Sequence, residues 1–493
     1  MCAWLVAGIV LGAHILQIRA GRQPQLPLEQ MGVAVSLASG KGFSNPFWTP
    51  SGPTAWVAPA LPVVYAACLG ASRWAGGNPL TLIVAFNVLA IVGAVFLVLR
   101  WPLRLWSFGS RMLFCAAFAG YAALYQDFLT NAAALSAFEV SLLLAGLVGE
   151  WRQPGSLWAW ATLAAANLLL LLTHPGLAMA GVVSTLALDG LIGARASGKP
   201  AGFLRSGAFS VVVAIAVGFA PWAVRNRVIF GHWIALKSNG YFELVLSQDQ
   251  TEDGILSESS VLAGNPSTNL RLQMDFRRLG EEGFLDPYRE RAAEIFSGDL
   301  GRYIRFSFNR LLNAVCFSKS PHDTETVRVD IPQADAARLV GRRLMLYYGQ
   351  AELYIWPLSR NKPSAERSLL SSAGVPNIDA LMADWQRAQG VIQERTRGPL
   401  ATLRGIAWAG APSLFCLAAA LMGWRTVPRL VAASVAIYLL ALVPNVLITH
   451  DIGHQSDFVV LFAVFAAAPA EALVRSRMRP EWRAHAARSA LGS

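Results

Sequence analysis

Long, nearly uninterrupted apolar runs constrain this chain more than any other feature of its 493 residues. Several runs reach the roughly 20 residues that an α-helix needs to cross the hydrocarbon core of a bilayer. Only 14% of the residues are charged, whereas a soluble domain carries about a quarter. Because only helices and closed barrels satisfy their backbone polar groups in lipid, the sequence predicts an all-α polytopic membrane protein.

We predict about ten transmembrane helices from the apolar runs. They lie near residues 2–18, 79–99, 108–126, 131–149, 157–173, 175–193, 206–229, 402–423, 427–448 and 457–474. A further apolar segment, 54–75, has prolines at 53, 59 and 62 and ends near Arg73. We interpret it as a surface or re-entrant helix that does not cross the membrane.

The basic residues between these segments set the predicted orientation. With ten spans, the loops carrying Arg100, Arg195 and Arg425 fall on the same side as the basic tail, 476–493. Loops rich in Lys and Arg stay cytoplasmic. We therefore expect both termini on the cytoplasmic side of a plasma (bacterial inner) membrane, and the first loop, 19–78, on the outer side.

The long polar stretch 231–399 falls on the outer side in this scheme. It holds 20 basic and 21 acidic residues, so the net charge of +11 resides elsewhere. That distribution excludes a nucleic-acid footprint and fits orientation by basic loops. Apolar residues at helical spacing within it predict a mostly helical extracytoplasmic domain. It separates an N-terminal membrane module, 1–230, from the C-terminal spans, 400–475.

Three stretches together resemble a known class of enzyme. The first runs from Glu29 to Phe43, followed by Gly-Pro-Thr-Ala-Trp at 52–56. The second is Pro-Trp-Ala-Val-Arg-Asn-Arg at 221–227, at the end of a predicted span, and continues to Lys-Ser-Asn at 237–239. The third is Asn-Pro-Ser-Thr-Asn at 265–269, with Arg-Leu-Gly-Glu at 278–281. In this order they resemble the GT-C membrane glycosyltransferases, especially bacterial relatives of the protein O-mannosyltransferases and the lipid A aminoarabinose transferase.

The resemblance implies an enzyme that takes sugar from a polyprenyl-phosphate carrier. Such enzymes hold short helices and a catalytic acidic residue in the first outer loop, often as an Asp-Glu pair. Here Glu29 is the single acidic residue between positions 1 and 126. The implied partners are the carrier-linked sugar, membrane lipids and an envelope acceptor that is a lipid, a glycan or a protein, with no nucleic acid.

Transfer to an acceptor hydroxyl needs a base to remove its proton. Glu29 is the candidate, because no other carboxylate lies in the first loop. The alternative is structural: Glu29 follows Pro27 at the start of an apparent helix, where a negative charge is favourable in any case.

The leaving phosphate needs cations and polar partners. Arg225 and Arg227 lie where a span meets the outer surface, and their alternative role is to reach lipid headgroups. The remaining candidate substrate-binding residues are Lys237, Asn239, Tyr241 and His174, the last in a tight turn between two spans.

A divalent metal is a further candidate ligand. His450, Asp451, His454 and Asp457 lie within eight positions in the last outer turn. They match no fixed ligand signature, and an ordinary polar turn is the alternative. Glu139 is isolated near the middle of a span, where a charge is functional or paired. We expect it to be protonated, or to be bonded to a neighbour such as Asn131 or Asn87.

Two other functions fit parts of the sequence. A relative that binds polyprenyl lipids without catalysis is consistent with the reduced acidic motif. A membrane transporter is the other alternative, although transporters commonly carry internal repeats and midplane charges. The sequence shows no repeat and few intramembrane charges.

Overall fold

A computed structural model gives the architecture. It describes residues 1–315 apart from gaps at 20–25, 48–49, 125–127, 196–202, 250, 252–253, 257–263 and 267–268, then scattered residues from 327 to 421, and finally 428–448 and 457–477. Within these ranges the regular secondary structure is helical except for one short sheet and an isolated bridge between Ser44 and Pro53, so the predicted helical class is confirmed. In that sheet β1 (Val327–Asp330) pairs antiparallel with β2 (Glu352–Ile355).

The helices follow one another closely along the N-terminal half. In chain order they are α1 Cys2–Arg19, α2 Leu28–Ala38, α3 Ala60–Ala75, α4 Pro79–Arg100, α5 Phe108–Leu124, α6 Ala133–Arg152, α7 Leu157–Thr173, α8 Pro175–Arg195, α9 Gly207–Ala214, α10 Ala220–Phe230, α11 Gly240–Asp249, α12 Leu270–Gly298, α13 Leu300–Val315, α14 Pro428–Leu447 and α15 Val459–Arg477.

Six helical segments of the described chain are long and apolar enough to cross a membrane. They are Cys2–Arg19, Pro79–Arg100, Ala133–Arg152, Pro175–Ile192, Gly207–Phe230 and Val459–Arg477. The protein is therefore helical with several candidate membrane spans. Of the remaining predicted spans, α5 and α7 have 17 residues each and are shorter than these six segments, and α14 is an apolar helix of 20 residues. The predicted span 402–423 lies almost wholly outside the described residues.

The candidate spans form one bundle around a shared apolar core. Residues of α1, α4, α5, α6, α7, α8, α14 and α15 contribute to it. At one end of the bundle, the Glu471 carboxylate accepts a hydrogen bond from the Ser107 amide (2.8 Å), and Arg475 donates a second hydrogen bond to the same carboxylate. At the opposite end, Gln17 donates to the Ala123 carbonyl at 3.2 Å. In each contact, the two helix ends that meet are ends that the predicted topology assigns to the same side of the membrane.

Helix α3 lies at the end of the bundle that carries the α5–α6 connection. Its Tyr65 hydroxyl donates to the Thr130 carbonyl (3.0 Å), and Arg73 donates to the Ala38 carbonyl at the end of α2 (2.8 Å). Tyr65 is near the middle of α3. That this segment is a surface or re-entrant helix stays a prediction.

Pro221 changes the winding of the helix that carries the Pro-Trp-x-x-Arg-Asn stretch. A proline lacks an N–H and its ring clashes with the carbonyl four residues earlier. The five residues Ile215–Phe219 before it form a π-helical turn between α9 and α10. This wider turn accommodates the proline without breaking the helix, so the chain continues to Arg225 and ends at Gly231 with a left-handed backbone (φ 76°).

A second, aromatic core holds the first loop against α11 and α12. Trp56, buried, packs edge-on against Phe47 and Phe276 and against Phe242 and Phe284 at a tilt. Aromatic pairs of this kind add about 0.5–1.5 kcal/mol each beyond the area they bury. The loop between α2 and α3 therefore has a fixed shape, and α2 packs directly on it.

The close contact between α2 and that loop generates a prediction about stability. A Cβ on Gly32 would lie 2.4 Å from the Pro46 carbonyl oxygen, which is backbone and cannot swing aside. We expect Gly32→Ala to destabilise the protein by about 1–3 kcal/mol, measured as a fall in Tm in detergent. Gly12→Ala in α1 is the matched control, since its Cβ meets nothing within 4 Å. An unchanged Tm for Gly32→Ala would show that α2 is not held against the loop.

Candidate functional site

Glu29 lies in the first turn of α2, directly after Pro27 and Leu28. A carboxylate is favourable there because of the exposed N–H groups at a helix start. The side chain is also held from outside the helix: the Asn265 amide donates to Glu29 Oε1 at 2.8 Å. Glu29 is partly buried. The helix start and a residue 236 positions away therefore fix the same carboxylate.

The surroundings of Glu29 act on its pKa in opposite directions. Burial raises the pKa above its ordinary value of 4.5, while the Asn265 hydrogen bond and the charge of Lys237 oppose that rise. Glu243 adds a further upward influence, and the nearby Trp56 indole a downward one. The net direction is upward, so Glu29 is a stronger proton acceptor than an exposed glutamate.

The charged neighbours of Glu29 are Lys237, on the segment that links α10 to α11, and Glu243, in the first turn of α11. Lys237 Nζ lies 3.6 Å from Glu243 Oε1, and the Asn239 amide donates to the same oxygen at 2.6 Å. Asn239 is buried, whereas Lys237 and Glu243 are half-buried. The structure thus brings three predicted residues, Glu29, Lys237 and Asn239, into one cluster.

Arg225 binds the backbone of the first loop. Its guanidinium donates to the carbonyls of Thr54 (2.7 Å) and Phe43 (3.0 Å) and to the Asn226 side chain (2.8 Å). It also lies over the rings of Trp222 and Phe43. These contacts give Arg225 a role in holding the loop, and its predicted contact with phosphate stays a prediction. Arg227 and Tyr241 are exposed.

Glu281 is a buried carboxylate that ties three segments together. It accepts hydrogen bonds from the Thr54 hydroxyl, the Ala55 amide (2.9 Å) and the Ser238 hydroxyl (2.7 Å). The Ser238 amide in turn donates to the Ala55 carbonyl at 3.0 Å. Ser238 stands between Lys237 and Asn239, so Glu281 fixes the segment that carries both of them.

The backbone before Glu281 has a conformation that suits only glycine. Gly280 has φ 68° and ψ 178°, which kinks α12. Side-chain-bearing residues are essentially excluded from this region. The kink changes the direction of the helix immediately before Glu281, which enables this side chain to enter the loop network. The Arg-Leu-Gly-Glu stretch therefore has a physical explanation in this structure.

A second polar cluster lies between helices of the bundle. The buried Glu139 of α6 accepts a hydrogen bond from the Thr173 hydroxyl at 2.8 Å. His174 Nδ1 lies 3.9 Å from Asp457 Oδ2. The expected partners of Glu139 were wrong: Asn87 donates instead to the Leu129 carbonyl and Asn131 accepts from the Ala133 amide. His174 thus lies beside Asp457.

The predicted metal residues are only partly described. His450, Asp451 and His454 lie outside the described residues, and Asp457 is buried beside His174. Among the residues that the structure describes, no group of three or more His, Cys, Asp or Glu side chains is arranged to hold a metal. The metal prediction therefore stays untested at three of its four positions.

Sequence reasoning missed Glu243 as a neighbour of Glu29 and Glu281 as the anchor of the loop. Neither stands near position 29 in sequence, and each is one of 21 acidic residues in 231–399. The usable signal was the Gly-Glu pair at 280–281, because a glycine inside a helical pattern often marks a special backbone conformation. Glu243 carried no such signal.

The comparisons with known proteins identify no relative. No protein-family model matches the chain, and neither a curated protein nor a solved structure matches it at the significance required. The functional argument consequently rests on the residues and their geometry.

The Glu281 network generates a prediction. Glu281→Ala leaves the Thr54 hydroxyl, the Ala55 amide and the Ser238 hydroxyl without their acceptor, so we expect a loss of about 3–5 kcal/mol. Glu290→Ala, at an exposed position of the same helix, should change stability by less than about 0.5 kcal/mol. Thermal unfolding in detergent, followed by tryptophan fluorescence, measures both. Equal Tm values for the two variants would contradict the anchoring role.

Proposed function

We propose that this chain is a membrane glycosyltransferase that takes sugar from a polyprenyl-phosphate carrier and passes it to an envelope acceptor. The observation that carries the proposal is the meeting of Glu29, Lys237 and Asn265 from three separate segments. A carboxylate with a raised pKa stands beside a cation in this cluster. These are the two groups that transfer from a lipid phosphate to a hydroxyl requires.

The proposed reaction follows from those two groups. Glu29 removes the proton from an acceptor hydroxyl while the oxygen of that hydroxyl attacks the anomeric carbon of the donor sugar. The bond from that carbon to the carrier phosphate breaks, and the phosphate leaves with the electron pair. Lys237 neutralises the growing negative charge, and the exposed Arg227 supplies a second cation at the end of α10.

The proposed topology places this cluster outside. We propose ten spans in a plasma membrane, with the basic tail cytoplasmic and the first loop and α11 on the outer face. The alternation of helix ends in the bundle supports this scheme, because the Ser107–Glu471 and Gln17–Ala123 contacts lie at opposite ends. A carrier phosphate at the outer headgroup level would then lie level with α2.

A labelling experiment tests this topology. A single cysteine at position 290, exposed on α12, in an otherwise cysteine-free chain, should react with an impermeant maleimide added to intact spheroplasts. A cysteine placed at position 104, in the α4–α5 connection, is the control and should react only after the membrane is opened. The reverse pattern, with position 290 protected until lysis, would overturn the orientation.

The role of Glu29 gives a prediction on rate and pH. A general base works only when ionised, and burial raises the pKa of Glu29. Turnover should therefore fall as the pH decreases, with a midpoint above 4.5. Glu29→Gln should lower turnover by about 10²–10⁴-fold and abolish this acidic limb, while carrier affinity stays nearly unchanged.

Transfer of radiolabelled sugar from carrier lipid in proteoliposomes measures this effect, and Glu290→Gln is the matched control. Full turnover by Glu29→Gln would move the base elsewhere. A parent protein that binds the carrier lipid without transfer would be a non-catalytic relative. Solute uptake without any carrier lipid would instead identify a transporter.

A further inference from the structure

Helix α13 divides sharply into two faces. One face carries Phe306, Arg310 and Ala314, all at most 1% exposed. The other face carries large apolar side chains between 38% and 58% exposed, namely Leu300, Ile304, Phe308, Leu311 and Leu312. Their spacing of three or four residues places them on one stripe of the helix. The stripe is exposed in the described structure, so it needs an apolar partner.

The buried face fixes α13 against α14. The Tyr303 hydroxyl donates to the Leu447 carbonyl (3.0 Å), and the Tyr438 hydroxyl donates to the Ala314 carbonyl (3.1 Å). The stretch of α13 from Tyr303 to Ala314 covers eleven residue steps. It runs in the opposite direction beside the stretch of α14 from Tyr438 to Leu447, which covers nine steps. At about 1.5 Å per residue these are about 16 Å and 14 Å, so the helices lie side by side over this length.

The end of α14 near Leu447 belongs to the bundle end that α11 also contacts. The Ser247 hydroxyl donates to the Ile448 carbonyl at 2.8 Å. From that end, α13 runs back along α14 towards the level of Tyr438. Tyr438 lies within the shared core of the bundle, against Phe458 and Phe462. Residues near Ala314 therefore lie about 14 Å inside the bundle end, close to half of a hydrocarbon core of about 30 Å.

Arg310 of this helix is held inside the protein. It is fully buried and donates to the Val446 carbonyl (2.6 Å), the Ser307 hydroxyl (2.9 Å) and the Ser247 hydroxyl (3.3 Å). Val446 and Ser247 belong to the bundle end, and a charged residue is tolerated near the bilayer when it is paired with backbone carbonyls and other polar groups inside the protein. Arg310 thus attaches α13 to α14 and does not prevent contact of the opposite face with lipid.

We propose that α13 is a membrane-inserted half-helix whose exposed stripe contacts the acyl chains of one bilayer leaflet. Exposed apolar residues also lie over the same length of α14, namely Leu439, Val443 and Leu447. Arg305 is exposed at the start of the helix, where a cation can reach headgroup phosphates. The polar segment after α10 therefore does not lie wholly outside the bilayer: it returns into the leaflet through α13.

Nitroxide labels at single cysteines test the proposal on the full chain in lipid nanodiscs. Labels at positions 308 and 312 should collide with oxygen several-fold more often than with a water-soluble nickel chelate, and the deeper position 312 should show the larger ratio. A label at position 290, on the exposed side of α12, is the control and should favour the nickel chelate. Nickel contact at 308 and 312 equal to that at 290 would overturn the proposal, as would protection from both reagents, which would indicate a protein cover.

A second measurement uses the unaltered chain and removes any doubt about folding of the variants. Phosphatidylcholine carrying a diazirine in its acyl chain is photolysed in the same nanodiscs, and peptides are analysed by mass spectrometry. Adducts are expected within residues 300–315 and within α4, whose Leu89 and Phe96 are exposed apolar residues of a candidate span. Adducts on α4 without any on 300–315 would exclude insertion of α13.

Discussion

The buried carboxylate of Glu281 is the interaction on which the candidate site depends. Its two oxygens bind a threonine hydroxyl and a backbone amide of the first loop and a serine hydroxyl after α10. Removing any buried acceptor of this kind leaves several donors unpaired. Through these bonds, a residue of α12 determines how a loop near the N-terminus meets the segment that carries Lys237. Glu29 and Lys237 can act together only while this contact persists.

Arg225 reinforces the same contact from the membrane side. It donates to two carbonyls of the first loop and lies over aromatic rings. Arg225 follows the π-turn before Pro221, Glu281 follows the kink at Gly280, and both side chains bind the first loop at Thr54. Two local departures from regular helix geometry thus produce one polar junction. Such departures commonly mark functional sites.

Buried polar side chains of the bundle form hydrogen bonds to neighbouring helices within an apolar surrounding. Glu139 binds a threonine of the next helix, and Arg310 binds backbone carbonyls and hydroxyls. Both side chains are buried in the described structure, and both are held by neighbours from other helices. Because an unpaired polar group in an apolar environment is strongly unfavourable, these bonds also fix which helices are adjacent.

The apolar runs alone determined the helical class and the approximate position of most helices, because helix length and hydropathy are local properties. Sequence also indicated Glu29, whereas the anchoring role of Glu281 emerged only from the structure. Tertiary structure decided the partners: Asn265 for Glu29, Thr173 for Glu139, and backbone carbonyls for Arg225. It also decided that the amphipathic α13 runs beside α14 rather than apart from it. These pairings join residues up to 236 positions apart, and no local pattern of residues specifies which distant group a buried side chain will bind.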